Sequence, residues 1–254
     1  MSELNENLKN IKIIDFAIFI VLAYVIFFIL SCFNIVNDSS LFYILIIAYF
    51  VFSLRNCTEG LKEDVKNVFS KMHLRYILLI VFLNIFFSYG MLYVSVALIN
   101  NFPSLDFLVN FSIPSMSIDY LPMVGSFLTT VVVSPISEEL LFRGVFLNKF
   151  KLFIPTVFAV LITSLLFGAL HSFGGMISAF VFAICMAILY LKTENIFVPI
   201  FAHFLNNLFA EIIRLSDVNN ILFTNYFVMG FVGVLAIIST WLLLSSIIEE
   251  LKKY

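Results

Sequence analysis

Eight stretches of this sequence are each apolar for close to the length needed to cross a bilayer, and that repetition constrains the fold more than any other feature. A spanning helix takes about 20 predominantly apolar residues, because hydrocarbon offers no water to satisfy an open backbone. The stretches fall at 13–36, 40–55, 74–99, 121–148, 153–173, 175–192, 195–214 and 225–249. With 62% of residues hydrophobic and 12% charged, a soluble domain of 254 residues would have no interior large enough to hide them. The expected fold is an all-α integral membrane protein with about eight transmembrane helices.

Positively charged loops stay on the cytoplasmic side of a membrane. With a cytoplasmic N-terminus, that side collects Lys9, Lys12, Arg55, Lys62, Lys66, Lys71, Arg75, Arg143, Lys149, Lys151, Lys192, Lys252 and Lys253. Only Arg214 of the 14 basic residues is then left outside. The reading is a multi-pass cell-membrane protein with both termini cytoplasmic. The first stretch begins too late for a simple cleaved signal peptide, so Met1 onward is expected to be mature chain. Between Leu61 and Arg75, apolar residues at helical spacing alternate with charges, which suits either a helix along the membrane surface or a solvated connector. His73 in that stretch is expected to be solvated. Asn100 to Pro122 lacks Lys and Arg and holds three prolines, and reads as an outer loop. No repeat or change of composition divides the chain, so 1–254 is taken as one domain with its motif-bearing core at about 121–214. A net charge of −2 without a basic, aromatic-interleaved patch speaks against nucleic acid. Cys32, Cys57 and Cys185 are scattered and lack CxxC spacing, so neither a disulfide framework nor a thiolate metal site is expected. The bilayer is the one partner that composition requires, and oligomeric state is not encoded in any pattern seen here.

An ionisable side chain inside a span costs several kcal/mol unless it is paired or faces water, so each one needs a reason. Ser134-Pro135-Ile136-Ser137-Glu138-Glu139-Leu140-Leu141-Phe142-Arg143-Gly144 lies late in the fourth stretch. Glu139 and Arg143, four residues apart, share a helix face and can pair, while Glu138 points about 100° away and is left to face something else. Pro135 is expected to kink the helix and free the carbonyl of Val131, four residues back. Phe167 and His171 are one turn apart in the fifth stretch, with Gly168 allowing a close helix approach. In the seventh, His203 and Asn207 project together. Taken one at a time, each has a plain structural explanation: a wet helix end, an interfacial histidine, a helix-to-helix hydrogen bond. Asn84 fits an interhelical contact, and Glu211 with Arg214 an ion pair. Together the three sites supply what hydrolysis of an amide by water requires. Glu138 could act as general base on a water shared with His171, and His203 and Asn207 could donate to the developing oxyanion.

These residues resemble the CPBP intramembrane proteases, a family that includes the CAAX endopeptidases and bacterial Abi-type enzymes linked to bacteriocin processing or self-immunity. The pattern EExxxR, extended to EExxFRG, is Glu138, Glu139, Phe142, Arg143 and Gly144; FxxxH is Phe167 and His171; HxxxN is His203 and Asn207. The resemblance covers residues 134–207. It implies an eight-helix fold around a water-filled cavity open toward the cytosol, with Glu138 and His171 activating water, His203 and Asn207 forming the oxyanion site, and Glu139 with Arg143 holding the first motif in shape. The implied activity is intramembrane endopeptidase cleavage of a peptide or membrane-protein substrate near the cytosolic side, in peptide or bacteriocin processing or in self-immunity.

One Glu and two His also make a zinc ligand set, which here would be Glu138, His171 and His203. HExxH is absent and no carboxylate stands behind either histidine in the sequence, so a site without metal or other cofactor is favoured. Two other functions fit the same polar constellation: a non-catalytic immunity or scaffold protein that binds a peptide, and a proton-coupled transporter. The transporter would call for inverted repeats, and none is found. Placing His171 with Glu138 raises a difficulty of depth, because a fifth helix counted from Leu152 carries His171 toward the outer face. A start after Pro155, a tilt, or a longer fourth helix would each bring the two together.

Overall fold

The computed structural model describes residues 2–33, 40–102 and 120–254, with side chains from residue 124 in the last stretch. All described elements are helical. They are α1 (Glu3–Asn10), α2 (Ile13–Cys32), α3 (Ser40–Ser53), α4 (Leu61–Val68), α5 (Lys71–Asn101), α6 (120–150), α7 (Thr156–Ala169), α8 (Phe173–Thr193), α9 (Phe197–Ser216), α10 (Ile221–Thr224) and α11 (Tyr226–Leu251). Each of the eight apolar stretches is thus a helix where it is described. Among the described residues, five helices are long and apolar enough to cross a membrane: α2, α5, α6 from Val124, α8 and α11. The chain is a multi-pass helical membrane protein. The count of eight spans is not reached on length and composition alone. Helices α3 and α7 have only 14 residues each, and α9 carries His203, Asn206, Asn207, Glu211 and Arg214 along its length. The loop expected at Asn100 to Pro122 lies largely outside the described residues.

Helix α8 is the hub. Residues 181–190 are buried without interruption, as expected for a helix apolar on every side. It packs against α7, α5, α9 and α11. The other long helices keep broad apolar faces outward, with Ile18, Val21, Phe82, Ile237 and Trp241 all exposed. In water such surface would drive aggregation, whereas lipid tails accept it.

The stretch from Leu61 to Arg75 holds the amphipathic α4 and the start of α5, with Lys62, Glu63, Val65, Lys66 and Phe69 exposed. Only α4 is a separate helix, and one side of it is buried in protein. Asp64 Oδ2 accepts hydrogen bonds from Ser2 N at 2.8 Å and Asn5 Nδ2 at 2.7 Å. Asn195 Nδ2 donates to the Asp64 carbonyl at 2.8 Å, and Asn5 Oδ1 accepts from Ile196 N at 2.8 Å. This clasp ties the start of the chain to the entry of α9. His73 is half-buried, with Nδ1 on the Asn67 carbonyl at 2.8 Å.

The short α7 takes one of the routes that would ease the difficulty of depth. It starts after Pro155, which occupies the cap position, and fourteen residues at about 1.5 Å each span only ~21 Å. His171 sits in the turn just beyond its end; a helix of that length entering at one face of a ~30 Å hydrocarbon layer would leave it short of the other. Gly168 makes the return into α8 possible. A Cβ there would lie 2.9 Å from the Met176 carbonyl oxygen and 3.0 Å from Phe180 Cβ. Gly168→Ala is expected to lower stability in detergent by roughly 1–3 kcal/mol through overpacking against backbone. Gly125→Ala, in open space, should change little, and thermal unfolding of both variants checks the contrast.

Candidate active site

Helix α6 is not a uniform α-helix. It changes to π geometry at Thr129–Val133, returns to α at Ser134–Glu139, and becomes π again over Leu140–Leu147. The first motif therefore sits between two wide turns. Ser134 N donates to the Thr129 carbonyl five residues back. In that register the next donor would come from residue 135, but Pro135 has no N–H, and the carbonyl left open is that of Thr130. Asn207 Nδ2 donates to it across the helix interface at 2.8 Å. The expectation that Val131 would be freed assumed α-helical spacing, and the π turn moves the gap back by one residue.

The two adjacent glutamates divide as their helical angle suggests. Glu139 is fully buried. Its Oε1 accepts from Arg143 Nη1 at 3.0 Å and pairs with His203 Nδ1 at 2.8 Å. Because that oxygen already faces a guanidinium N–H, the histidine nitrogen is the donor in the second bond. Arg143 is 2% exposed and turns Nη2 to the Ala183 carbonyl at 2.9 Å, with its guanidinium over the Phe167 ring at 5.1 Å. Glu138 is only half-buried. Ser134 Oγ donates to its Oε1, and its Oε2 lies 3.9 Å from His203 Nε2.

His203 is thereby clamped between the two carboxylates, one at each ring nitrogen. Phe167 and Phe182 wall the ring edge-on, with centroids at 5.9 and 5.1 Å. His171 is held differently: Nδ1 bonds the Phe167 carbonyl at 2.9 Å and the two rings lie 4.7 Å apart. This leaves Nε2 turned from the backbone. Glu138, His171, His203 and Asn207 all line one cavity of about 640 Å³, with Phe42 and Tyr43 of α3 and Leu141 of α6 among its apolar walls. A smaller hollow of about 150 Å³ lies behind the histidines, against Asn84 and Ser178.

All six predicted residues thus come to one locality, but two of their relationships differ from expectation. His203 is oriented by Glu139, a residue expected only to hold Arg143. Asn207 uses one N–H on Thr130, leaving its second amide proton for the cavity. Its Oδ1 accepts from Asn206 Nδ2 at 3.3 Å, and Asn84 Nδ2 donates to Asn206 Oδ1 at 2.9 Å, so a chain of amides links α5, α9 and α6. The interhelical role read for Asn84 is found, and so is the Glu211–Arg214 pair, at 2.7 Å. Ser134, Asn206 and the Thr130 carbonyl were not singled out beforehand. The proline within the first motif was the available signal for the last of these.

Both histidines have Nδ1 on an oxygen partner, the Phe167 carbonyl for His171 and Glu139 for His203, and keep Nε2 free, a pattern that a metal ligand would share. The carboxylate behind His203 is one that the sequence did not show, and among the described residues no three His, Cys, Asp or Glu side chains are grouped as a metal shell.

Residues 120–209 match the family described as type II CAAX prenyl endopeptidase Rce1-like. The resemblance to the CPBP proteases therefore holds over this segment. The protein described as "Putative membrane peptidase YdiL" of Bacillus subtilis (strain 168) is 36% identical over 92 residues. That match spans 36% of this chain and 38% of the relative's own length, so little more than a third of either protein is shared. No solved structure matches.

Removing Glu139 would leave Arg143 as an uncompensated buried cation, so Glu139→Ala is expected to lose roughly 3–5 kcal/mol. Asn207→Ala, which orphans the Thr130 carbonyl, should lose about 1–3 kcal/mol. Glu138→Gln, at the cavity wall, should unfold near the wild-type temperature. Melting of the three variants in one detergent tests that order.

Proposed function

We propose that this chain is an intramembrane endopeptidase of the glutamate type, cutting a peptide or membrane-protein substrate near the cytosolic side without a metal. The observation that supports the reading most is the clamp on His203. With Nδ1 donating to Glu139, its Nε2 is aimed at the cavity beside Glu138. The Rce1-like match over the motif core and the relative's description as a membrane peptidase favour hydrolysis over simple binding.

In this mechanism a water between Glu138 and His171 gives a proton to Glu138 as its oxygen attacks the peptide carbonyl carbon. The carbonyl oxygen becomes negative and is received by His203 Nε2–H and the second amide proton of Asn207. For Nε2 to donate while Nδ1 donates to Glu139, His203 must carry both protons. A doubly protonated His203 together with Arg143 balances the charges of Glu138 and Glu139. On collapse the C–N bond breaks, and Glu138 returns its proton to the leaving nitrogen. Glu139 and Arg143 position the machinery without touching the reacting atoms. Both termini would lie in the cytosol, and processing of a peptide or bacteriocin leader, or self-immunity, would be the biological setting.

The test is cleavage of a labelled candidate peptide by the purified protein in detergent. Glu138→Gln and His171→Ala are expected to lose about 10²-fold or more, with wild-type activity indifferent to a zinc chelator. Loss of activity with the chelator would overturn the metal-free mechanism. Full cleavage by folded Glu138→Gln would remove Glu138 as the base. Biological function preserved in Glu138→Gln at unchanged protein level would favour a non-catalytic immunity or scaffold protein.

A further inference from the structure

A second cavity, of about 420 Å³, lies between α5, α8 and α11, away from the residues of the candidate active site. One end is polar, formed by His73 at the start of α5, Lys192 and Thr193 at the end of α8, and Glu250 at the end of α11. From there the slot runs over Tyr76 and Leu79 to a floor of Leu83, Cys185 and Leu243. Met72 to Leu83 on α5 corresponds to a length of roughly 16 Å. Its lips are exposed on the apolar outer surface at Met72, Leu79 and Leu242. An adjoining hollow of about 560 Å³ shares Met72, Tyr76 and Leu79, and adds Lys71 and Arg75.

The charges at the mouth choose the occupant. Glu250 is already matched by Lys192 and Lys253, each at 2.9 Å. Lys192 is further held over the Tyr76 ring at 4.9 Å. Lys71 and Arg75 make no ion pair among the described residues, and Glu249 is the one other acid in the last turn of α11. The mouth is therefore net positive, and it lies at the helix ends where the Lys and Arg asymmetry places the cytoplasmic leaflet. A slot apolar along its length, open sideways to the bilayer and basic at one end, matches an acyl chain joined to an anionic headgroup. An extended peptide would bring backbone polar groups that the apolar floor cannot satisfy.

We propose that this groove is a binding site for an anionic phospholipid of the cytoplasmic leaflet, with one acyl chain along Leu79, Leu83 and Leu243 and the phosphate at Lys71, Arg75 and Lys192. The site is independent of the proposed peptidase chemistry. Native mass spectrometry of the full chain in neutral detergent with equimolar phosphatidylglycerol and phosphatidylcholine tests it. The wild type should retain about one phospholipid, with phosphatidylglycerol preferred about fivefold or more, as one juxtamembrane basic residue already implies. The double variant Lys71→Glu/Arg75→Glu should bring that preference near one. Ser246→Trp, at an exposed lip, should reduce retention of both lipids, and Leu79→Trp provides an independent filling variant should the first misfold. A wild-type preference near one, a preference unmoved by charge reversal, or undiminished retention in a folded filling variant would each overturn the proposal.

Discussion

A single carboxylate oxygen, Oε1 of Glu139, organises the interior of this protein. It receives Arg143 from one turn along its own helix and His203 from α9. A cation as deeply enclosed as Arg143 must have its N–H groups met, and they are met by α6 itself and by the carbonyl of Ala183 on α8, with the face of Phe167 from α7 beside them. Four helices are thereby fixed in rotation about one point. Such a cluster is a poor source of stability compared with an apolar core of equal volume, because desolvation consumes most of the Coulombic gain. It does provide direction: the imidazole has one orientation available, and that orientation faces the cavity.

The wide turns of α6 serve the same end. A regular helix would satisfy the Thr130 carbonyl internally and leave Asn207 to find another partner. With π geometry before a proline, the backbone offers an acceptor sideways, and the amide chain from Asn84 through Asn206 to Asn207 docks on it. Irregular backbone at membrane depth is tolerated where protein covers it or it lines a wet space, and here it does both.

Much of this was visible in the sequence, for physical reasons that also explain the gaps. Apolar length reports helices directly, since a bilayer leaves the backbone no alternative, and four-residue spacing brings Glu139 to Arg143 without tertiary knowledge. The starting point of α7 after Pro155 could be named as one solution to the depth of His171, although not chosen. Contacts between distant segments were out of reach: nothing in the neighbourhood of His203 announces a carboxylate 64 positions earlier, and nothing near Asp64 announces Ser2, Asn5 and Asn195. The misplaced carbonyl has a different origin. Periodicity arguments assume 3.6 residues per turn, and they slip by one residue where the helix widens. The span count suffers from a tension within the site itself, since the polar residues that give α9 its chemistry also lower its apolar character.

The shortness of α7 reaches beyond the arrangement of side chains. A helix of fourteen residues matches the hydrocarbon layer over only about two thirds of its thickness. Lipids along that face must compress, or headgroups and water must be drawn inward, at a modest elastic cost per ångström. Wherever such a helix crosses the layer, the membrane would thin beside His171. A polypeptide approaching there would meet an aqueous boundary sooner than elsewhere, and membranes of different thickness would hold this chain with different ease.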